Sequence, residues 1–554
     1  MKYDFKNLKG DLSGGFVAGI IALPLALAFG VQSGLGAAAG LYGAVAVGVF
    51  AALLGGTATQ ASGPTGPMTV VSAAIVVYAV DRTGSLEAGL GIVLLAFFVG
   101  GALQLGLGLL GVGKYVKYFP YPVVSGFMSG VGLIIVFLQI WPLLGASSPK
   151  STIEVFTRIA EPLSDINYAA VGLGSLTLAV NYAFPYVTKK VPSVLVALLV
   201  GTGTALATGV DVPTIGDIPT SFPALQFSAM LSVDPEYFGF ILESGVTLAL
   251  LGSIDSLLTS VIADNLTKDK HNSNRELLGQ GIGNMIAALF GGIPGAGATK
   301  GTVVAINAGA KTRVSGITHG LFQGAVLLGL GALASYIPLS VLAGLLISVG
   351  VAIIDYKGIR HLRYVPKADA AVMLVVLVWT VFGNLIHAVA AGIVLASVLF
   401  MKKASDLAEA ETSIGPLGPL KTAEEDDEPW EDERASGVPE RDDVFVKHLY
   451  GPLFFGFSSG FRALAETLPK GTEVLVVRME RVPYIDQSGL YALEETILRL
   501  QAEGTLVALT GLGEQPAAML EQIALVPSLI PESQVFRSFD ACVAWLHERA
   551  PQTD

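Results

Sequence analysis

Gly63-Pro64-Thr65-Gly66-Pro67-Met68-Thr69-Val70-Val71 and Ala296-Gly297-Ala298-Thr299-Lys300-Gly301-Thr302-Val303-Val304 share a glycine-rich entry followed by Thr-Val-Val. Each follows a glycine pair, Gly55-Gly56 in one case and Gly291-Gly292 in the other, and each opens a short apolar run. Two interrupted apolar segments in corresponding halves of a chain are the mark of inverted-repeat transporters, whose broken helices meet near the bilayer midplane. A helix N-terminus exposes unpaired N–H groups and about half a positive charge, so two facing N-termini make a preformed anion site. Thr65 and Thr299 would add hydroxyl donors. The competing reading is that Gly and Pro only permit close helix packing.

Working outward, the composition requires a bilayer. Of 554 residues 52% are hydrophobic and 14% charged, with a mean hydropathy of +0.64, far more apolar than soluble proteins of this size. A spanning helix needs roughly 20 mostly apolar residues. Such runs recur near 13–31, 36–54, 64–80, 88–111, 119–138, 167–186, 192–209, 240–264, 277–291, 298–310, 314–335, 338–354, 368–383 and 385–402. The reading is fourteen transmembrane segments, with 64–80 and 298–310 as half-helices. The run after the short polar N-terminus is taken as a first span rather than a removed signal.

Charge placement tests the count, because an error of one span would invert every later loop. With the N-terminus inside, loops after even-numbered spans should be basic. Lys114 and Lys117, Lys189 and Lys190, Lys268, Lys270 and Arg275, Lys311 and Arg313, and Lys357, Arg360, Arg363 and Lys367 all fall there. The long segment from Val210 to Phe240 has no Lys or Arg. Both termini are thereby placed in the cytoplasm of a multi-pass protein of the cell membrane.

Ionisable side chains within spans are costly and functional by default. Asp255 lies inside the eighth span, and Lys300 opens the tenth. The two are expected within reach of one another. Asp255 and Thr259 share a helix face at i, i+4, which suits a hard cation on oxygen ligands or a protonatable carboxylate. The structural alternative is a plain Asp255–Lys300 ion pair joining the two spans.

Residues 1–403 carry 22 Lys and Arg against 18 Asp and Glu, a net of +4, whereas 404–554 carry 11 against 27, a net of −16. An acidic tail argues against nucleic acid as a partner. The single cysteine, Cys542, excludes a disulfide framework within the chain. Residues 404–443, with Glu424-Glu425-Asp426-Asp427-Glu428, read as a solvated acidic linker. From 444 to 549, β-branched runs at Val474–Val477 and Leu506–Leu509 alternate with helix-like stretches at 458–468, 488–503 and 514–523, a small α/β domain. No phosphate-binding loop of the Gly-x-x-x-x-Gly-Lys-Ser/Thr type occurs, so ATP drive is not indicated.

These residues resemble the SulP anion transporters, and within that family the BicA-type bicarbonate transporters. The likeness rests on Gly10-Asp11, the run Ile21 to Gly30, Pro64-Thr65-Gly66-Pro67-Met68-Thr69-Val70, Ser125-Gly126-Phe127-Met128-Ser129-Gly130, Asp255 with Thr259, His271 to Leu277, and Gly295-Ala296-Gly297-Ala298-Thr299. It implies an α-helical membrane protein with a seven-plus-seven inverted repeat, UraA-like core and gate domains moving as an elevator, and a homodimer. It also implies that the tail is a STAS domain, a docking place for a regulatory protein. Carried over by position, the anion site comprises Phe29, Thr65, Gly66, Ala298, Thr299 and Lys300. A sodium ion would be held by Asp255, Thr259, Gly297 and Thr299.

Lys300 departs from the BicA-like pattern, which is neutral there, and a fixed ammonium near Asp255 could stand in for sodium. Two readings follow: sodium-coupled bicarbonate uptake, or exchange or proton-linked transport of an anion, with sulfate or a small dicarboxylate as other cargoes. A non-transporting anion sensor and an anion channel remain as other classes. No enzymatic chemistry and no cofactor beyond sodium is expected. In the tail, Ile485-Asp486-Gln487-Ser488-Gly489-Leu490 resembles a strand-to-helix turn in which the serine matching Ser488 can be phosphorylated, the plainer role being helix capping.

Overall fold

A helix occupies each of the fourteen places that the apolar runs mark. In the computed structural model they are α1 Leu8–Gln32, α2 Ala37–Leu54, α3 Gly66–Thr83, α4 Leu86–Leu109, α5 Tyr121–Leu138, α6 Tyr168–Val187 and α7 Ser193–Thr208, then α8 Phe238–Thr267, α9 Ser273–Leu289, α10 Thr299–Asn307, α11 Arg313–Ala334, α12 Leu339–Ile353, α13 Lys367–Phe382 and α14 Leu385–Ala410. The structure describes residues 7–188, 191–216, 223–383, 385–410, 414–417, 430, 432–433, 441–454, 468–469 and 471–549. Lys189, Lys190 and most of the helix-like stretch 458–468 lie outside them. Among the described residues, seven helices are long and apolar enough to cross a membrane by length and composition alone. The others are shorter, broken or carry polar side chains. At 1.5 Å per residue the 9-residue α10 is about 13 Å long, half a hydrocarbon core. α3 is longer than the half-helix expected, with 18 residues, its last turn carrying Asp81 and Arg82.

The chain divides into two compact units, Met1–Ala396 and Ser397–Asp554. Within the first, α1–α4 pack with α8–α11, and α5–α7 pack with α12 and α13. The partnerships repeat seven helices on: α2 packs on α11 as α9 packs on α4, α1 on α11 as α8 on α4, and α1 on α10 as α8 on α3.

Polar ties hold helix ends together, and each joins loops expected on one side. Asp11 Oδ1 accepts the N–H groups of Lys311 and Thr312, and its Oδ2 accepts the Thr312 hydroxyl. Glu276 Oε2 accepts the N–H groups of Gly56 and Thr57, both at 2.8 Å. Asp355 accepts the hydroxyls of Tyr121 and Ser125. At the other ends, Ile293 N–H donates to Ala39, and Leu339 N–H donates to Pro213. Connections after even-numbered helices thus meet one another, as do those after odd-numbered ones.

The second unit holds a five-stranded sheet, β3 Ile414–Leu417, β4 Arg441–Tyr450, β5 Val474–Arg481, β6 Leu506–Thr510 and β7 Val535–Phe536, after two short strands of the first unit, β1 Ser62–Gly63 and β2 Ala296–Gly297. β4 to β7 are parallel and β3 is antiparallel to β4. Strand alternation gives the sheet two apolar faces. Leu475, Val477 and Leu509 pack with α15 (Gln487–Ala502) and α16 (Glu514–Gln522). Val444, Val446, Val474 and Val476 pack with α17 (Phe539–Glu548). The stretch 404–443 is not the plain spacer its charge suggests: α14 continues to Ala410, β3 joins the sheet, and Trp430, Asp432 and Glu433 pack onto the domain. Charge density misleads there because Arg478 and His448, further along the chain, answer the carboxylates of Asp432 and Glu433. Glu424 to Glu428 lie outside the described residues.

Candidate anion-binding site

The two quoted stretches meet directly. β1 and β2 pair antiparallel, Ser62 opposite Gly297 and Gly63 opposite Ala296. The backbones cross so closely that a Cβ on Gly295 would stand 2.2 Å from the Gly63 carbonyl, which only glycine avoids. Immediately beyond this crossing α3 and α10 begin, with Thr65 and Ala298 as N-caps, and neither cap side chain closes a hydrogen bond onto its helix. The free N–H groups of both first turns therefore remain available to an anion.

A polar network fixes the crossing. Asn284 clamps Gly295, accepting its N–H at 2.8 Å and donating to its carbonyl at 3.0 Å. Gly297 N–H donates to Ser256 Oγ at 3.1 Å. The Thr302 hydroxyl accepts the Ala61 N–H at 3.1 Å. Gln60 and Gln280 each donate to Glu276 Oε1 at 2.9 Å, and Ser260 donates to Gln60. Glu276, 1% exposed, is a buried carboxylate answered by four N–H groups.

The expected site residues divide between two faces of this crossing. Phe29 and Thr65 are buried, and a Cβ on Gly66 would meet Phe29, Ile135 of α5 and Ile353 of α12. Thr259 donates to the Gly297 carbonyl at 2.9 Å and lies 2.7 Å from Thr299 Oγ1. Asp255, one turn earlier on α8, has its Oδ2 buried without a partner. The Thr65 hydroxyl sits beside that carboxyl without closing a complete hydrogen bond to it. Asp255 also borders an apolar cavity of about 230 Å³ between α5, α8 and α14, with Phe127, Ile254 and Ile393 in its wall.

Lys300 is turned elsewhere. Its side chain borders a cavity of about 60 Å³ with Ile21, Leu25 and His319, and it makes no ion pair with Asp255, whose neighbours are Thr65 and the apolar cavity wall. The expectation of an Asp255–Lys300 contact fails for a geometric reason. Consecutive helical residues are rotated by about 100°, so with Thr299 against Thr259 of α8, Lys300 falls on a different face, one that borders the cavity lined by Ile21 of α1 and His319 of α11. Sequence spacing marks the two charges but does not encode this rotation.

In the second unit the cap of α15 is Asp486, which accepts the Gly489 N–H at 2.8 Å. Ser488 stands exposed in the first helical turn. Several residues of the site carried no signal in the sequence. Ile135 and Ile353 are apolar residues in apolar helices, and Gln60, Ser256, Asn284 and Glu276 show their purpose only through partners up to 220 residues away.

Two uncapped helix tips held face to face by a short strand pair, inside a bundle of apolar helices followed by an α/β domain, define a membrane protein built to handle small anions. The chain belongs to the sulfate permease family, whose model matches residues 8–376, and carries a STAS domain at 436–542. It is 39% identical over 538 residues to the bicarbonate transporter BicA of Picosynechococcus sp., covering 96% of this chain and 93% of that one. It is 32% identical to YvdB of Bacillus subtilis, described as a putative sulfate transporter, over 94% of this chain and 95% of that one. Its fold is similar to the solved transmembrane domain of a cyanobacterial BicA, with a TM-score of 0.65 and 43% identity, covering 71% of this chain and 98% of that one.

Proposed function

We propose that the chain is a sodium-coupled bicarbonate importer of the cell membrane. The carrying observation is the pairing of Ser62–Gly63 with Ala296–Gly297, immediately after which two helices begin with uncapped N-termini, together with the buried, unpartnered Oδ2 of Asp255. The anion is bound by the first-turn N–H groups of α3 and α10 and by the Thr65 hydroxyl, with Phe29 closing the apolar side. Sodium is the co-transported ion, taken by Asp255, Thr259, Thr299 and the Gly297 carbonyl. The oxygen set fits a hard cation, since Thr259, Thr299 and Gly297 form one cluster and the Asp255 oxygen is unspent. Lys300 does not replace the ion on this reading, because it faces away from Asp255.

The repeated helix partnerships support a seven-plus-seven arrangement of fourteen segments. α1–α4 with α8–α11 then form a core that slides, as an elevator, against a gate of α5–α7 and α12–α14. Ile135 and Ile353, pressed on the tip of α3, are the gate surface past which the anion travels. Basic connections after even-numbered helices place both termini in the cytoplasm, and the resemblance of family members supports a dimer. Uptake of labelled bicarbonate into proteoliposomes tests the proposal: flux requires an inward sodium gradient and saturates. Equal flux with and without sodium refutes the coupling, and sulfate flux exceeding bicarbonate flux refutes the cargo.

A further inference from the structure

The sheet face that α17 covers at Val444, Val446, Val474 and Val476 continues, by strand alternation, to His448, Tyr450, Arg478 and Glu480. Beside Phe539 of α17, which lies 4.4 Å from the Arg478 guanidinium, what covers this continuation is Trp430, Asp432 and Glu433, upstream of β4. The Trp430 ring lies between two guanidinium groups, Arg478 at 4.1 Å and Arg481 at 4.4 Å, and its indole N–H donates to the Tyr450 hydroxyl at 2.6 Å. Arg478 grips Asp432 with both terminal nitrogens, at 2.9 and 2.6 Å, and donates to Glu433 at 2.5 Å. Glu433 Oε1 is also 2.7 Å from His448 Nε2. The side chains of Arg478 and Glu433 are 2% and 9% exposed.

We propose that His448, Tyr450, Arg478 and Arg481 form a receptor for an acidic, tryptophan-bearing peptide, which Trp430, Asp432 and Glu433 occupy in cis as a displaceable plug. The chemistry is specific for that class. A bidentate guanidinium–carboxylate pair fixes position and direction, and an indole stacked by two cations discriminates against aliphatic residues. Arg478 retains Glu480 as its remaining carboxylate, at 3.1 Å, so removing the plug uncovers a cation left with one carboxylate in place of three. The slot therefore favours being filled, from this chain or from another. A tethered segment acts at millimolar effective concentration, which keeps free peptide out while the plug is intact. α15, which carries Ser488, packs on the opposite face, so a partner at Ser488 and a partner in this slot would not compete.

Fluorescence anisotropy of a labelled peptide spanning residues 424–436, added to the purified full chain in detergent, tests this. The W430A/D432A/E433A variant should bind the peptide at least about tenfold more tightly than the unaltered chain, and a peptide with the same three substitutions should bind neither. Equal binding by both chains, or by neither, overturns the proposal. Should the triple variant fail to fold, hydrogen exchange on the unaltered chain decides. Excess peptide should speed exchange across 430–433 by displacing the plug, and unchanged exchange at saturating peptide overturns the idea equally.

Discussion

Thr299 Oγ1 lies 2.7 Å from Thr259 Oγ1, and this contact orients the whole tip of α10. It turns Thr299 toward α8 and Asp255's face, and so turns Lys300 toward α1 and His319. The two charges that sequence reading paired are thereby assigned to different surroundings.

On the proposed function, sodium dependence is predicted to follow Asp255 and not Lys300. Asp255→Asn removes the charge that offsets a bound cation, and uptake at low sodium should fall at least about tenfold, equivalent to ~1.4 kcal/mol of ion binding. Lys300→Met should leave the sodium requirement in place. Initial rates in proteoliposomes against sodium concentration check both, and a new or altered sodium requirement in Lys300→Met would contradict the assignment.

A side chain at Gly66 would press on α5 and α12. Its Cβ would stand 2.7 Å from Ile353 Cδ1 and 2.9 Å from Ile135 Cδ1, so both isoleucine ends must swing aside. Gly66→Val should abolish bicarbonate uptake while the protein still assembles. Adding Ile353→Ala should restore part of the flux, because it removes the nearest clashing group; no recovery in the double variant would remove Ile353 from the proposed gate surface.

Glu276 fixes the loop that delivers β1. Glu276→Gln presents an amide N–H₂ to one of two N–H pairs that a carboxylate satisfies, costing on the order of 3 kcal/mol. The thermal midpoint should fall by several degrees and bicarbonate KM should rise, as the crossing at Gly63 loosens. A variant with unchanged melting and unchanged KM would show the loop to be held by other contacts.

Asp355 sets an acid limit on stability. Burial pushes its carboxyl up, but hydrogen bonds from Ser125, Tyr121 and the N–H groups of Gly358 and Lys357 outweigh that and hold it below the usual carboxylate range. A depressed folded pKa contributes stability above the unfolded value and loses it as pH falls through the folded value. Melting should therefore be insensitive to Asp355 between about pH 6 and 8 and decline below about pH 4. Asp355→Asn should lower the midpoint at neutral pH and shrink that acid decline. An undiminished acid decline would assign it to other carboxylates. Asp432 behaves alike: burial raises it, and Arg478 more than compensates.

Much of this was legible because a bilayer imposes one rule on every span. Apolar runs of fixed length and basic connections after even-numbered ones locate fourteen helices to within a few residues, and the ties of Asp11 to Thr312 and Glu276 to Thr57 join the ends that this alternation pairs. The repeat of Thr-Val-Val marked the two tips. Charge density at 404–443 was a poorer guide, since it counts carboxylates without their partners, and Trp430, Asp432 and Glu433 find theirs on β4 and β5.

The sequence by itself determined that the chain lives in a membrane, where its helices fall, and which two glycine-rich stretches open the helix tips of the proposed anion site, because burial and backbone polarity are properties of composition and local order. Only the tertiary structure decided which of the neighbouring residues Thr299 and Lys300 faces Asp255, that Ile135 and Ile353 press on the α3 tip, and that the acidic stretch docks on Arg478. These depend on helix rotation and on contacts between residues tens to hundreds of positions apart, which no local pattern encodes.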